Sequence, residues 1–401
     1  MDPVLIDWIS LFLRWAHVML GIAWIGTSFF FVWLDMSLRA NPKSPQGVGG
    51  ESWMVHGGGF YQAQKYLVAP ESLPKELHWF KYEAYFTWVS GFLLLGVVYY
   101  LDADAFLIDP QVLPLSPVQA IAISLGGLAI GWLLYDALCK SPLGQNTGLL
   151  ALAVFAMAMA AAYLFTHVFS GRAAFVHVGA FLGTIMSANV FFIIIPNQKK
   201  VVADLIAGRK PDPALGTQAR QRSLHNNYLT LPVVLMMISN HYPMLFNLGY
   251  GWFFIAGIIL LSGFVRHYAN LKDAGRSDNW IDWLLVYAAG VALVLVIASI
   301  DLSNQNQGVV VAGPPVELAQ VVPIIQTRCT ACHSATPSDA HFKTAPKGIA
   351  FDTSEEIARH AAEILRVAVL TKAMPLGNRT GMVDEERALV GRWAINVRTT
   401  D

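Results

Sequence analysis

Residues 148–195 read "GLLALAVFAMAMAAAYLFTHVFSGRAAFVHVGAFLGTIMSANVFFIII". Two long apolar runs are joined by the short polar turn "SGR" at 170–172. A helix needs ~20 mainly apolar residues to cross the hydrocarbon of a bilayer, and a helix on the surface of a soluble protein would show a polar stripe instead. The stretch therefore reads as a pair of membrane-crossing helices.

Outward from this hairpin the same pattern recurs. Apolar segments at 8–33, 82–101, 117–139, 148–169, 173–195, 228–246, 251–271 and 280–300 make eight expected spans. Apolar residues are 55% of the chain and charged residues 13%, about half the ~25% charged fraction of soluble domains. The expected fold is mainly α, a polytopic eight-helix transmembrane bundle over 1–301. The formal net charge is zero, so nothing in it points to a nucleic-acid partner; the expected surroundings are membrane lipid. The first apolar run lacks a basic leader and a small-residue cleavage site, which reads as a retained span.

Charge in the connections sets an orientation. One alternating set of loops carries Arg39, Lys43, Lys65, Lys75, Lys81, Lys140, Lys199, Lys200, Arg209, Lys210, Arg220, Arg222, Arg266, Lys272 and Arg276. The opposite set carries "LDADAFLIDP" and one base, Arg172. The positive-inside rule puts the basic set in the cytoplasm, so both termini are expected on the periplasmic side of a bacterial inner membrane.

The composition changes after the last span. Residues 302–314 read as a linker and 315–401 as a small soluble domain, with helical starts at Ser354 and Asp384. This domain holds "QTRCTACHSA" at 326–335. Cys329 and Cys332 are spaced to meet the two vinyl groups of one haem from a single helical face, and His333 follows as iron ligand. Downstream, "TKAMPLGN" offers Met374 as the second axial ligand, with Met382 as the other methionine to consider. The domain resembles class I cytochrome c in both motifs, implying one covalent haem c on the periplasmic side. A zinc site would need more thiols or imidazoles nearby. Cys139, alone at the end of an apolar run, reads as a buried filler.

Histidines divide by expected depth. His17, His167, His177 and His241 lie toward the outer side, where facing imidazoles are candidate ligands of a b-type haem. The plainer reading is hydrogen bonding between helices. Arg14 can neutralise an anion or extend to the surface. Residues 34–81 form a long loop with a Gly-rich core, a candidate lid or binding loop.

The segments "RWAHVMLGIAWIGTSFFFVWLD", "WMVHGGGFYQAQKYLVAP", "LHWFKYEAYFTWVSG", "HNNYLTLPVVLMMISNHYP" and the closing "CTACH" and "MPLGN" together resemble the integral membrane, cytochrome c-linked urate oxidases of bacterial purine catabolism. The resemblance implies oxidation of urate to 5-hydroxyisourate, with electrons leaving through haem c to a downstream cytochrome c or terminal oxidase, without hydrogen peroxide. On that reading the substrate site lies in the bundle, with His78, His225, Asn226, Asn227, Asn240 and Arg14 as candidates. A quinol or other small-molecule dehydrogenase donating to cytochrome c is the alternative, and a transporter with a tethered redox sensor is a third reading.

Overall fold

Lipid offers no partner to a backbone amide, so a segment exposed to it pairs its own backbone groups as a helix. The computed structural model describes residues 3–400 apart from 69, 71–72, 243–244, 246–250, 277–279, 310–313 and 340–341. Helix α1 covers Pro3–Ser37. Its outward face leaves Trp8, Leu11, Phe12, Trp15, Met19 and Ile22 more than half exposed, a face that water would penalise and lipid would not.

The loop expected at 34–81 contains a β-hairpin. Strand β1, Val48–His56, pairs antiparallel with β2, Gly59–Tyr66. The two-residue connection is Gly57 and Gly58, with φ of 58° and 80°, the left-handed pair that a tight hairpin turn requires. Period-2 patterning is weak on these strands, and the glycines carried the signal. Arg39 and Glu51 exchange backbone hydrogen bonds at 3.0 and 2.9 Å, which fastens the hairpin to the end of α1.

The remaining body helices are α2 (Tyr82–Leu95), the short α3 (Ala103–Phe106), α4 (Pro117–Lys140), α5 (Thr147–Thr166), α6 (Gly171–Ala188), α7 (Ile195–Ile206), α8 (Pro213–Ile238), α9 (Gly251–Asp273) and α10 (Trp280–Val309). A wider π turn continues α2 through Gly96–Tyr100, and another, Asn189–Ile194, joins α6 to α7. Five of the described helical stretches are long and apolar enough to cross a membrane: Val4–Ser37, Pro117–Lys140, Thr147–Thr166, Gly171–Ile206 and Gly251–Asp273. The other three expected spans are helical as well. The sixth starts earlier than expected because Asp212 caps the helix and Pro213 opens it. It breaks where the polar run at Ser239–His241 stands. The last helix continues to Val309, into the stretch read as a linker, since no Gly or Pro stands between Asp301 and Gly308 to stop it.

Helix α6 is the centre of the body. From Ala173 to Leu182 it is buried at nearly every position, and it packs on α2, α4, α5 and α8. Small residues let the helices close up. A β-carbon on Gly131 of α4 would collide with the ring of Phe181, and one on Gly179 would stand 2.9 Å from Met236 of α8.

The C-terminal part has its own core, with Val321, Ile325, Ile357, Ile364, Met382, Val390 and Trp393 all nearly or fully buried. Around it stand α11 (Leu318–Arg328), α12 (Ser354–Arg359), α13 (Ala361–Ile364) and α14 (Asp384–Thr400). Thr353, rather than Ser354, caps α12, because Glu356 completes a reciprocal capping box with it.

Candidate functional site

Cys329 closes α11, its N–H bonding to Ile325 O at 2.8 Å. The next turn folds back on it: Cys332 N and His333 N reach Cys329 O at 3.2 and 2.8 Å. Both thiols therefore belong to one turn, as two thioether bonds to a single porphyrin require. Burial pushes the Cys329 thiol up to about 12 and the Cys332 thiol upward too. His333 Nδ1 lies 2.9 Å from Ile349 O. A carbonyl can only accept, so Nδ1 carries the proton and Nε2 keeps its lone pair for a metal. Met374 is fixed by its backbone, with N on Val367 O at 2.9 Å and O taking Arg387 Nη1 at 2.8 Å. Met382 fills the apolar core with no exposure. Among the described residues no three His, Cys, Asp or Glu groups gather as a metal site.

The loop after Met374 touches the helical body. Gly377, with φ of 57°, sits where a β-carbon would stand 2.6 Å from Ala105 O and 3.3 Å from Ile108 O. Arg379 lies 3.9 Å from Asp102 of the body and 3.4 Å from Asp339 of its own domain. This stretch of the body is itself held from inside, Ser170 donating through N to Leu107 O and through Oγ to Phe106 O. Sequence reading gave no sign of this contact, because it joins residues more than two hundred and fifty positions apart.

No hydrogen bond or ring contact joins any two of His17, His167, His177 and His241 in the structure. His17 Nδ1 meets Thr87 O and Ser90 Oγ at 3.0 and 3.1 Å, with its ring against Gly91 of α2. His167 is exposed and stacks on Tyr163. His177 is fully buried with both nitrogens engaged, Nδ1 by Ala173 O and Nε2 by Ser124 Oγ, each at 2.7 Å. His241 is exposed on the turn after α8. Arg14 is also exposed, with Ser10 as neighbour, and Asn240 pairs with Tyr99 OH.

Toward the basic loops a buried polar network links α4, the π turn after α6, and α8. Arg222, 3% exposed, donates to Asp136 Oδ1 at 2.8 Å and lies over the Tyr135 ring. Asn189 Nδ2 reaches Tyr135 OH and Asn226 Oδ1, while Asn226 Nδ2 donates to Met186 O. His225 Nδ1 meets Tyr135 OH at 2.7 Å. Every buried polar side-chain atom in this network has a partner. The π turn displaces Asn189 into it, a common use of such turns.

Beside it, a cavity of 590 Å³ is walled by α1, α7, α8 and the segment before α2. Its lining includes Asp35, Lys65, His78, Gln198, Arg220 and Ser223. Its volume is in the range of small-molecule sites, roughly 300–1,000 Å³. Of the six sequence candidates, only His78 lines it.

One more polar group lies deeper. Asn227, fully buried on α8, accepts from Arg266 Nε at 3.3 Å and from Asn270 Nδ2 at 3.1 Å, both on α9. Arg266 was counted above only as loop charge, although an arginine one turn before Asn270 in an apolar helix was the available signal.

Residues 3–299 match the family profile described as Urate oxidase N-terminal. The chain belongs to this family. Its membership ties the helical body to urate-related oxidation and makes an oxidoreductase the fitting class. The matched region includes the cavity, Arg222, Arg266 and the segment under Gly377, and it ends before Cys329. No curated protein and no solved structure gives a match.

Proposed function

We propose that this chain is an integral membrane urate oxidase that hydroxylates urate to 5-hydroxyisourate and passes the electrons to its own haem c. In this reading the eight helical segments cross the bacterial inner membrane, the termini are periplasmic, and a downstream cytochrome c or terminal oxidase is the final partner. The overall change is urate plus water giving 5-hydroxyisourate, two protons and two electrons. No oxygen atom need come from dioxygen, so hydrogen peroxide is not a product.

The observation that carries the proposal is a junction. The loop following Met374 packs directly on the outer loop of the domain that matches the urate oxidase family. A haem-bearing module that were only a passenger would need no such backbone contact.

Cys329 and Cys332 would hold the haem covalently, and His333 and Met374 would ligate its iron. When bound, that group accepts electrons one at a time, which suits a two-electron oxidation emptied in two steps. The protein's own part begins in the body. The cavity is wide enough for a purine, and Lys65 and Arg220 near its wall outnumber the Asp35 carboxylate they share, which favours an anion. His78, exposed on the wall, can take a proton from the attacking water. Ile349 O holds the proton of His333 on Nδ1, so Nε2 would be the nitrogen left to ligate iron.

Membranes carrying the protein should consume oxygen on addition of urate, with no hydrogen peroxide released, and Cys332→Ala should abolish this. Peroxide formed in step with urate loss would refute the proposal.

A further inference from the structure

Two arginines of the helical body, Arg222 buried and Arg266 half-buried, differ in how their charge is met. Arg222 has Asp136 at 2.8 Å, within a network whose buried polar atoms are all paired. Arg266 is met by neutral amides, and the Asp273 carboxylate adds only its field at longer range, with no ion pair to it among the described residues. Its Nε reaches Asn227 Oδ1, its Nη2 reaches Asn270 Oδ1 at 3.0 Å, and its guanidinium lies 4.2 Å over the Phe29 ring of α1.

Asn227 carries the second observation. Its Oδ1 takes two donors, from Arg266 and Asn270, and those donors fix which way the amide is turned. That leaves Nδ2 as the outward end, and it is buried with no acceptor. Elsewhere among the described residues only two Nε atoms, of Arg387 and Arg392 in the C-terminal domain, share this condition. An apolar interior penalises an unpaired amide, and beside this one stands a guanidinium whose hydrogen bonds go to neutral amides rather than to a carboxylate.

The location fits a ligand reached through the cavity. Asn227 follows Ser223 and Leu224 of the cavity wall on one face of α8, and Phe29 precedes Val32 of the wall on α1. The cluster therefore lies one helical turn beyond the wall, between the same two helices and α9. We infer that Arg266 and Asn227 bind the urate anion, Arg266 matching its charge and Asn227 Nδ2 donating to one of its ring or carbonyl acceptors. This rests on the function proposed above.

Equilibrium dialysis of radiolabelled urate against the full-length protein in detergent tests the site separately from haem reduction. Arg266→Gln and Asn227→Asp should each weaken urate binding at least about tenfold, the loss expected for one hydrogen bond involving a charged group. Asn227→Asp supplies the missing carboxylate to Arg266, so its fold and haem content should be retained. Asn227→Leu should also lose urate, and because it takes the acceptor from Arg266 Nε and Asn270 Nδ2 it should lower the melting temperature. Wild-type affinity in folded Asn227→Asp and Arg266→Gln would overturn the inference, as would absence of urate binding to the wild type. If the wild type binds urate that never reduces its haem, and these variants lose binding, the site stands and the proposed function fails.

Discussion

The α-carbon of Gly377 faces the carbonyl of Ala105, where a β-carbon would stand 2.6 Å from the oxygen. A backbone carbonyl in a buried helical turn cannot move aside as a flexible side chain could, and Ala105, in α3, is fully buried. Gly377→Val adds a side chain at this contact and strains a φ of 57°, together costing about 1–3 kcal/mol. The expected result is slower reduction of haem c by urate, with reduction by dithionite unchanged. Equal slowing of both, or of neither, would count against a working contact here.

Arg222 and Asp136 illustrate the opposite case, a charge met inside the body. Removing one partner leaves the other charge uncompensated, at a cost of about 3–5 kcal/mol for a buried pair. Asp136 retains 17% exposure and Lys140 lies 2.6 Å from it, so the lower end applies. Asp136→Asn should lower the melting temperature in detergent, and Asp136→Asn with Arg222→Met should recover part of the loss.

Met374 tests the haem assignment. A thioether ligand raises a haem potential relative to imidazole, so Met374→His should lower the midpoint potential without loss of covalent haem. The core residue Met382 should give the reverse pattern on Met382→Ala: lost stability, from a cavity, and little change in potential.

Two exposed carboxylates make the C-terminal domain acid-sensitive. The Asp384 carboxyl is held below its ordinary value of 3.8 by the hydrogen bond and charge of Lys372. Asp352 is held below the same value by the N–H of Ala335 and the hydroxyl of Ser334. A depressed pKa in the folded state stabilises above the unfolded value and loses that contribution as pH falls through the folded one. The urea midpoint should be flat between about pH 7 and 5 on their account and fall below about 3.8. Lys372→Gln and Ser334→Ala should shrink the fall.

Much of this was legible in the chain because long apolar helices announce themselves locally. The hairpin at 148–195 needs only length and hydropathy, and the structure places a helix on each side of Ser170. The motif around Cys329 was equally local. What the sequence hid was of two kinds. The hairpin at Val48–Tyr66 has strands too mixed in polarity to betray a period of two. The second kind is long-range: Gly377 on Ala105, and Arg266 with Asn227, join segments whose approach only the folded chain reveals. His177 shows the limit from the other side. Its two hydrogen bonds, to Ser124 and Ala173, were not visible in spacing.

The most direct measurement is an anaerobic titration of purified full-length protein with urate, followed by absorption spectroscopy. The reduced c-type α band should grow with each addition, two haem equivalents for every urate consumed. A spectrum that stays oxidised under urate, while dithionite reduces the same sample, would contradict urate as the source of the electrons.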